Sequence, residues 1–435
     1  MAQFRTDQNK LDFPNNRTRF EVFMMSDRLS PSGTLTDAFG RLRVSEPLTL
    51  FESTHRFGDN GLWATSNTAG GTYGFVTNQS SVDLTVNTAN NAEVIRETTK
   101  VFSYQPGKSL LVMNTFAMNT PKSNLRQRVG YFSAQNGVYL ENDGITNYLV
   151  VRSYTSGAIA ERRIAQANWN HDKFDGTGYS AQNGGVEHAS GLDVSKTNIL
   201  WFDIEWLGVG DVRCGFVVDG KMIIAHTFHN DNIYTVPYMT TASLPLRYEI
   251  KNTGVTASSS KLKQICSTVI SEGGYSLSGT QYAVNTALAT PIDLTVSSTY
   301  YTLVSIRLKS GRLDALAILS AISLLPLTNN AVINWQIRAG GTSAGNTWID
   351  PGTDSSVEYK LDGGTITGGR VLASGFMAST TQSVAPVNIL GAALFKYQLE
   401  RNGLTSAPIE LTLCAASDTA GADIHASLDW EEVTR

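Results

Sequence analysis

The stretch WFDIEWLGVGDVRCGFVVDGKMIIAHTF, residues 201–228, decides the fold class. Phe202, Ile204 and Trp206 alternate with Asp203 and Glu205. That period of two is the mark of a strand with one buried face, because successive side chains point to opposite sides of a sheet. Val212, Cys214, Phe216 and Val218 repeat the pattern, and Ile224 and Phe228 share a face on the return. Asp219-Gly220 lies between the last two runs. Such a pair favours a two-residue type I′ turn, which requires positive φ at both central positions. The stretch predicts a β-hairpin with a third strand before it.

The same grammar extends outward. Segments 82–86, 94–104, 109–118, 127–133, 137–140, 147–154 and 158–166 are short, β-rich and bounded by Asn, Gly, Pro or Ser. Residues 272–282, EGGYSLSGTQY, have the composition of a linker. Beyond it, 292–296, 300–309, 332–338, 394–399 and 409–415 are further strand candidates. Segment 315–325 fits a helix or a buried strand. Residues 1–62 are broken by Pro14, Pro31 and Pro47 yet carry Phe4, Phe13, Phe20, Phe23, Phe39 and Phe51. Two readings stay open for them: an arm docked on a neighbouring subunit, or an irregular first layer of the next domain. The expected architecture is all-β: an extended N-terminal docking arm over 1–62, a β-sandwich over 63–275 and a second, jelly-roll-like β-sandwich over 276–435.

Composition agrees. The 435 residues are 41% hydrophobic but only 17% charged, with 38 glycines. The apolar share is enough for cores, and the low charge suits hydroxyl- and amide-covered sheets. Net charge is −4, with 25 basic and 25 acidic residues up to 275 and 9 and 13 after it. No basic stripe appears, so nucleic acid is not an expected partner. The N-terminus MAQFRTDQNK lacks an apolar core, and 313–327 is too short and interrupted to span a bilayer. Neither a signal peptide nor membrane insertion is expected. Cys214, Cys266 and Cys414 are odd in number and widely spaced, which predicts free thiols.

Catalytic motifs are missing from the sequence. Gly107-Lys108-Ser109 mimics the end of a phosphate-binding loop, but Phe102 stands where its first glycine is required. Asp203 and Glu205 would lie about 7 Å apart on one strand face, within range of a glycosidase pair. Exposed strands carry such pairs by chance, so the expectation is no enzyme, no catalytic residue and no cofactor. His226 and His229 fall on opposite strand faces, a poor arrangement for one metal ion. Asp172 and Asp175 could hold Ca²⁺, but an Asx-rich turn explains them more simply. No metal site is expected. For sugar stacking, Trp201 and Trp169 are the candidates, Trp201 because it falls opposite the apolar face of its strand.

Several runs resemble a known class. WFDIEWLGVGDVRCGFVVDG (201–220), TASLPLRYEIKNTG (241–254), LKQICSTVISEGGY (262–275) and LTDAFGRLRVSEPLTLFES (35–53) are similar to a class of tailed-bacteriophage structural proteins. The strand–Val-Asp-Gly–strand element also resembles the hairpin of concanavalin-like jelly rolls, the lectin and laminin-G type of fold. The resemblance implies a virion component such as a capsid decoration, neck or collar, or tail-fibre protein. It would be made in the host bacterial cytoplasm and act by assembling with itself, as a ring or trimer, and with other virion proteins. A carbohydrate-binding receptor module is the alternative, with a host-surface glycan as partner, and a polysaccharide-degrading enzyme comes last.

Overall fold

The computed structural model of the protein describes residues 46–434, apart from 69, 184–187, 344–346, 362 and 380–395. Fifteen strands make up the first part: β1 Leu48–Ser53, β2 Trp63–Thr68, β3 Gly71–Val76, β4 Ser81–Val86, β5 Glu93–Thr98, β6 Leu110–Ala117, β7 Leu125–Phe132, β8 Gly137–Asp143, β9 Thr146–Ser153, β10 Ala160–Ala165, β11 Asn198–Ile204, β12 Val212–Val218, β13 Lys221–Phe228, β14 Leu246–Asn252 and β15 Ser260–Ser271. They form two antiparallel sheets. One runs β13-β12-β11-β6-β15-β4-β3, with β1 also on β15; the other runs β10-β9-β8-β7-β14-β5-β2. Their facing sides enclose a single core that includes Leu84, Val112, Phe116, Val129, Phe202 and Phe216.

The second part continues with β16 Thr280–Asn285, β17 Ile292–Leu294, β18 Tyr301–Leu308, β19 Leu316–Pro326, β20 Val332–Ala339, β21 Thr342–Ser343, β22 Val357–Leu361, β23 Ile366–Thr367, β24 Arg370–Ala378, β25 Arg401–Asn402, β26 Ala407–Pro408, β27 Leu411–Ser417 and β28 Ala422–Thr434. A four-stranded sheet, β16-β28-β17 with β19 on β28, faces a five-stranded one, β22-β18-β27-β20-β24. Leu303, Ile306, Trp335, Leu413, Leu428 and Trp430 belong to the core between them. The protein is therefore all-β and built of two β-sandwiches.

Segment 315–325, ambiguous by pattern, is strand β19. Segment 394–399, expected as a strand, is not one where it is described; 396–399 is turn and isolated bridge, with Gln398 bridged to Ile318. Of the expected docking arm, residues 1–45 lie outside the described residues. Residues 48–53 are corrected: they pair with β15 of the same chain, and Leu50 and Phe51 are buried in its core. Pro47 fits just before this strand, where no ladder N–H is lost.

The β12–β13 turn holds Asp219 at φ 49° and Gly220 at φ 72°, between the paired Val218 and Lys221. Cys214, Cys266 and Cys414 are free thiols, and burial pushes all three thiol pKa values up.

Trp201 lies directly across from Gly215 on the neighbouring strand. A Cβ on Gly215 would come within 2.0 Å of the Ile223 carbonyl oxygen and 2.6 Å of the Trp201 ring. The indole thus covers a glycine, an aromatic-rescue pair. Gly215→Ala is expected to cost about 1–3 kcal/mol, since backbone cannot yield as a side-chain tip can. Urea midpoints of the two proteins check this; a shift equivalent to less than about 0.5 kcal/mol would refute the close approach.

Two sandwiches joined by buried ion pairs

The chain returns from the second sandwich to the first at 398–401. Arg401 N–H donates to the Thr99 carbonyl at 2.8 Å, and Gln398 Nε2 donates to the Val101 carbonyl at 2.8 Å. Thr99 Oγ1 donates to Glu400 at 3.0 Å. The Arg401 guanidinium binds Glu97 and also reaches Asp314 at 3.3 Å. Glu97 and Arg401 side chains are each only 3% exposed. From Glu97 the charges continue over the outer face of the β7–β10, β14 sheet. Arg247 binds Glu97 and Glu249, Arg128 binds Glu249 and Glu141, and Arg152 binds Glu161. Burial raises the Glu249 carboxyl pKa, but Arg247, Arg128 and Arg126 outweigh it and hold it at about 2. These groups are cross-strand neighbours: Arg247 faces Glu97, Arg128 faces both Glu249 and Glu141, and Arg152 faces Glu161. Opposite charges placed there stabilise the pairing.

Candidate binding cleft

Strand β10 is one of the two edge strands of the seven-stranded sheet. Its edge and the 229–238 segment enclose a cleft of about 370 Å³. That volume is within the usual range for small-ligand sites, about 300–1,000 Å³. Val151, Ala160, Val236 and Pro237 supply apolar walls, and Ser153, Thr155, Arg162, Asn230 and Tyr234 supply polar groups.

The polar groups are braced from behind. Arg162 donates to the His229 carbonyl at 3.2 Å, to the Tyr234 hydroxyl at 2.9 Å and to Asn230 Oδ1 at 2.8 Å. Its guanidinium also lies 4.8 Å from the Phe228 ring centroid. Asn230 is buried and donates to the Gly210 carbonyl at 2.7 Å. The carboxylate of Glu161 lies on the opposite face of β10 and receives Tyr139 and Arg152 on one oxygen, Oε1, at 2.7–3.0 Å. Burial raises its pKa, and the Tyr139 hydrogen bond, Arg152 and Arg128 outweigh that, so it stays below the ordinary carboxylate value. Tyr238, also lining the cleft, is buried, and its hydroxyl has no hydrogen-bond partner among the described residues. Beside the cleft, Leu207 adopts φ 38°, a left-handed conformation that bulky residues rarely take. Leu207, Val209, Ile233, Tyr234 and Val236 are all exposed there.

The sequence candidates lie elsewhere. Trp201 and Trp169 are each 1% exposed, so the stacking role assigned to them is corrected. Trp201 covers Gly215 among Leu111 and Ile224. Trp169 packs between Phe174 and Phe216 in the main core. Asp203 and Glu205 do not share a strand face, because β11 ends at Ile204. Asp203 is fully buried and paired with Arg213. Asp172 accepts from the Phe174 and Ser180 backbone and the Ser180 hydroxyl; Asp175 accepts from Thr177. Both carboxylates thus organise turns. His226 accepts the Asn170 N–H, whereas His229 contacts Asp211 at 2.8 Å. Among the described residues no cluster of metal-ligating side chains occurs. The cleft residues escaped sequence reading because Arg162 and Asn230 are 68 positions apart and carry no spacing signal.

Burial, reinforced by Arg162, lowers the His226 pKa to about 4, and burial with Arg96 does the same for His55. Both are neutral in the folded protein. In the unfolded chain they take up protons below their ordinary value near 6.5. Their contribution to stability is therefore complete above about pH 6.5 and is lost as pH falls toward 4. The expected slope is roughly 1.4 kcal/mol per pH unit for each histidine. Urea midpoints between pH 7.5 and 4.5 measure it, and the double variant His55→Gln, His226→Gln should flatten it. An unchanged slope in that variant would refute the assignment.

Fold and cleft together define an all-β protein of two sandwiches with a polar-lined cleft at one sheet edge. No protein-family model matches the chain, and no curated protein matches it. Solved structures do resemble part of it. One is the CBM2 module of the evolved Dit of Lactobacillus casei BL23 phage J-1, at 7% identity and TM-score 0.34, over 53% of this chain and 99% of that one. Another is the conserved carbohydrate esterase of Shiga toxin-encoding bacteriophage phi24B, at 11% identity and TM-score 0.31, over 52% and 99%. A third is the legume lectin-like domain from Entamoeba histolytica, at 8% identity and TM-score 0.30, over 50% and 95%. Likenesses this distant assign no activity or ligand to this chain.

Proposed function

We propose that the protein is a non-catalytic structural component of a tailed-bacteriophage virion, acting by assembly with copies of itself and with other virion proteins. The buried ion-pair seam from Arg401 through Glu97 and Arg247 to Glu249 supports the non-catalytic part of this reading. It braces two sandwiches into one unit and commits the buried carboxylates to structure rather than to proton transfer. The virion part rests on the resemblance of residues 35–53, 201–220, 241–254 and 262–275 to phage structural proteins. Assembly takes place in the host cytoplasm, and the finished protein resides in the particle. The test is mass spectrometry of purified particles of the phage that encodes it, with light scattering of the isolated protein. The expected result is a fixed copy number per particle and a closed oligomer. Absence of the chain from intact particles would refute the proposal. A carbohydrate-binding role, the alternative, no longer rests on Trp201 or Trp169.

A further inference from the structure

We infer that the cleft between β10 and the 229–238 segment binds an acidic saccharide, one carrying a carboxylate such as a uronic or sialic acid residue. The inference is independent of the virion assignment, since it concerns what the cleft recognises and not where the protein resides.

Charge distribution selects the acid. Glu161 is matched by Arg152 within the ion-pair lattice. Arg162 differs: its three hydrogen bonds all go to uncharged oxygens, those of His229, Tyr234 and Asn230. It forms no ion pair within 4.0 Å among the described residues. A guanidinium has five N–H donors in a rigid fork, so donors remain after these three bonds. A planar carboxylate is the group that matches them. The brace fixes the guanidinium before any ligand arrives, which reduces the entropy lost on binding.

The remaining surface suits the hydroxyls and ring of a sugar. The Ser153 and Thr155 hydroxyls line the cleft, 3.0 Å from each other, and a hydroxyl both donates and accepts, so they match the hydroxyls of a sugar. The Tyr234 hydroxyl accepts from Arg162 and keeps its own proton to donate. Val236, Pro237 and the half-exposed Tyr234 ring offer apolar surface for the C–H face of a pyranose. The cation for a carboxylate and the hydroxyls for a sugar lie in the same cleft, at Arg162 and at Ser153, Thr155 and Tyr234.

The test is saturation-transfer NMR on the full chain, with sodium D-glucuronate, N-acetylneuraminic acid and an oligoglucuronate as probes. Methyl glucoside and methyl galactoside serve as neutral comparisons. Binding of at least one acidic probe is expected, with affinity falling as salt rises. Arg162→Gln should weaken it at least about tenfold, equivalent to about 1.4 kcal/mol. Because Arg162 also braces the cleft, Ala160→Trp is the companion variant. It fills the cleft without touching the brace and should abolish binding while the melting temperature holds. No binding of any acidic probe, equal binding of the neutral glycosides, or binding that survives Ala160→Trp would each overturn the inference. Loss of binding with unchanged oligomeric state keeps this result separate from the virion proposal.

Discussion

Replacing Arg96 with leucine is expected to lower the unfolding free energy by about 3–5 kcal/mol, the usual consequence of breaking a buried charged network from one side. Arg96 is on the inward face of β5 and is fully buried between the sheets of the first sandwich. Its Nε donates to Gln264 Oε1 on the opposite sheet at 2.6 Å, and Nη1 donates to Thr65 at 2.8 Å. Nη2 pairs with Asp59, and the guanidinium lies 5.5 Å from the Trp63 ring centroid. One side chain thereby ties β2, β15 and the 54–62 connection to β5. Leucine would restore apolar bulk but leave the buried Gln264 acceptor without a donor, and such a group costs about 1–3 kcal/mol by itself. Arg96→Lys keeps the charge but cannot reach three acceptors in a plane, so an intermediate loss is expected. Equilibrium urea unfolding measures both. A change below about 1 kcal/mol for the leucine variant would sink this account.

The second large effect is expected at Arg401. Arg401→Ala removes one of two guanidinium partners of buried Glu97 and the partner of Asp314. The loss should approach about 3 kcal/mol, the lower end for such breaks, because Arg247 still compensates Glu97. The form of unfolding should also change. Each sandwich has its own hydrophobic core, and the 398–401 contacts couple them. With the seam cut, calorimetry should resolve two transitions where the parent protein shows closer coupling. Burial raises the Asp314 pKa while Arg401 opposes it. Without Arg401, Asp314 should rise further and hold its proton at a higher pH. An unshifted single transition in Arg401→Ala would contradict the role of the seam.

Much of the fold was legible because sheet structure writes itself at period two. Leu200, Phe202 and Ile204 line the core, and Asp219-Gly220 forms the turn that its backbone chemistry favours. Strand β28, which is not among the expected strands, carries the same signal: Ala422, Ile424, Ala426, Leu428 and Trp430 are buried in alternation with the less buried Asp423, His425, Ser427 and Asp429. The first strand of the fold is not decided by the sequence, because Pro14, Pro31 and Pro47 fit an arm while Leu50 and Phe51 fit a first core layer, and only the pairing with β15 selects the second for residues 48–53. Strand β19 stayed ambiguous because a continuous apolar run lacks any period.

Sequence by itself determined the all-β class, the hairpin and the free thiols, since each follows from local residue chemistry. It also excluded familiar catalytic motifs. What covers a given side chain is a different question, and only the tertiary structure answers it. Trp201 points away from the main core, yet it is buried because Gly215 on the next strand gives it a place to lie. Asp203 became half of a buried ion pair because register put Arg213 opposite it. The cleft exists because an edge strand and a segment some seventy residues later lie side by side, and Arg162 is left without a carboxylate only in that setting. Burial, pairing and cavities depend on contacts between residues far apart in the chain, and no local pattern of residues encodes those contacts.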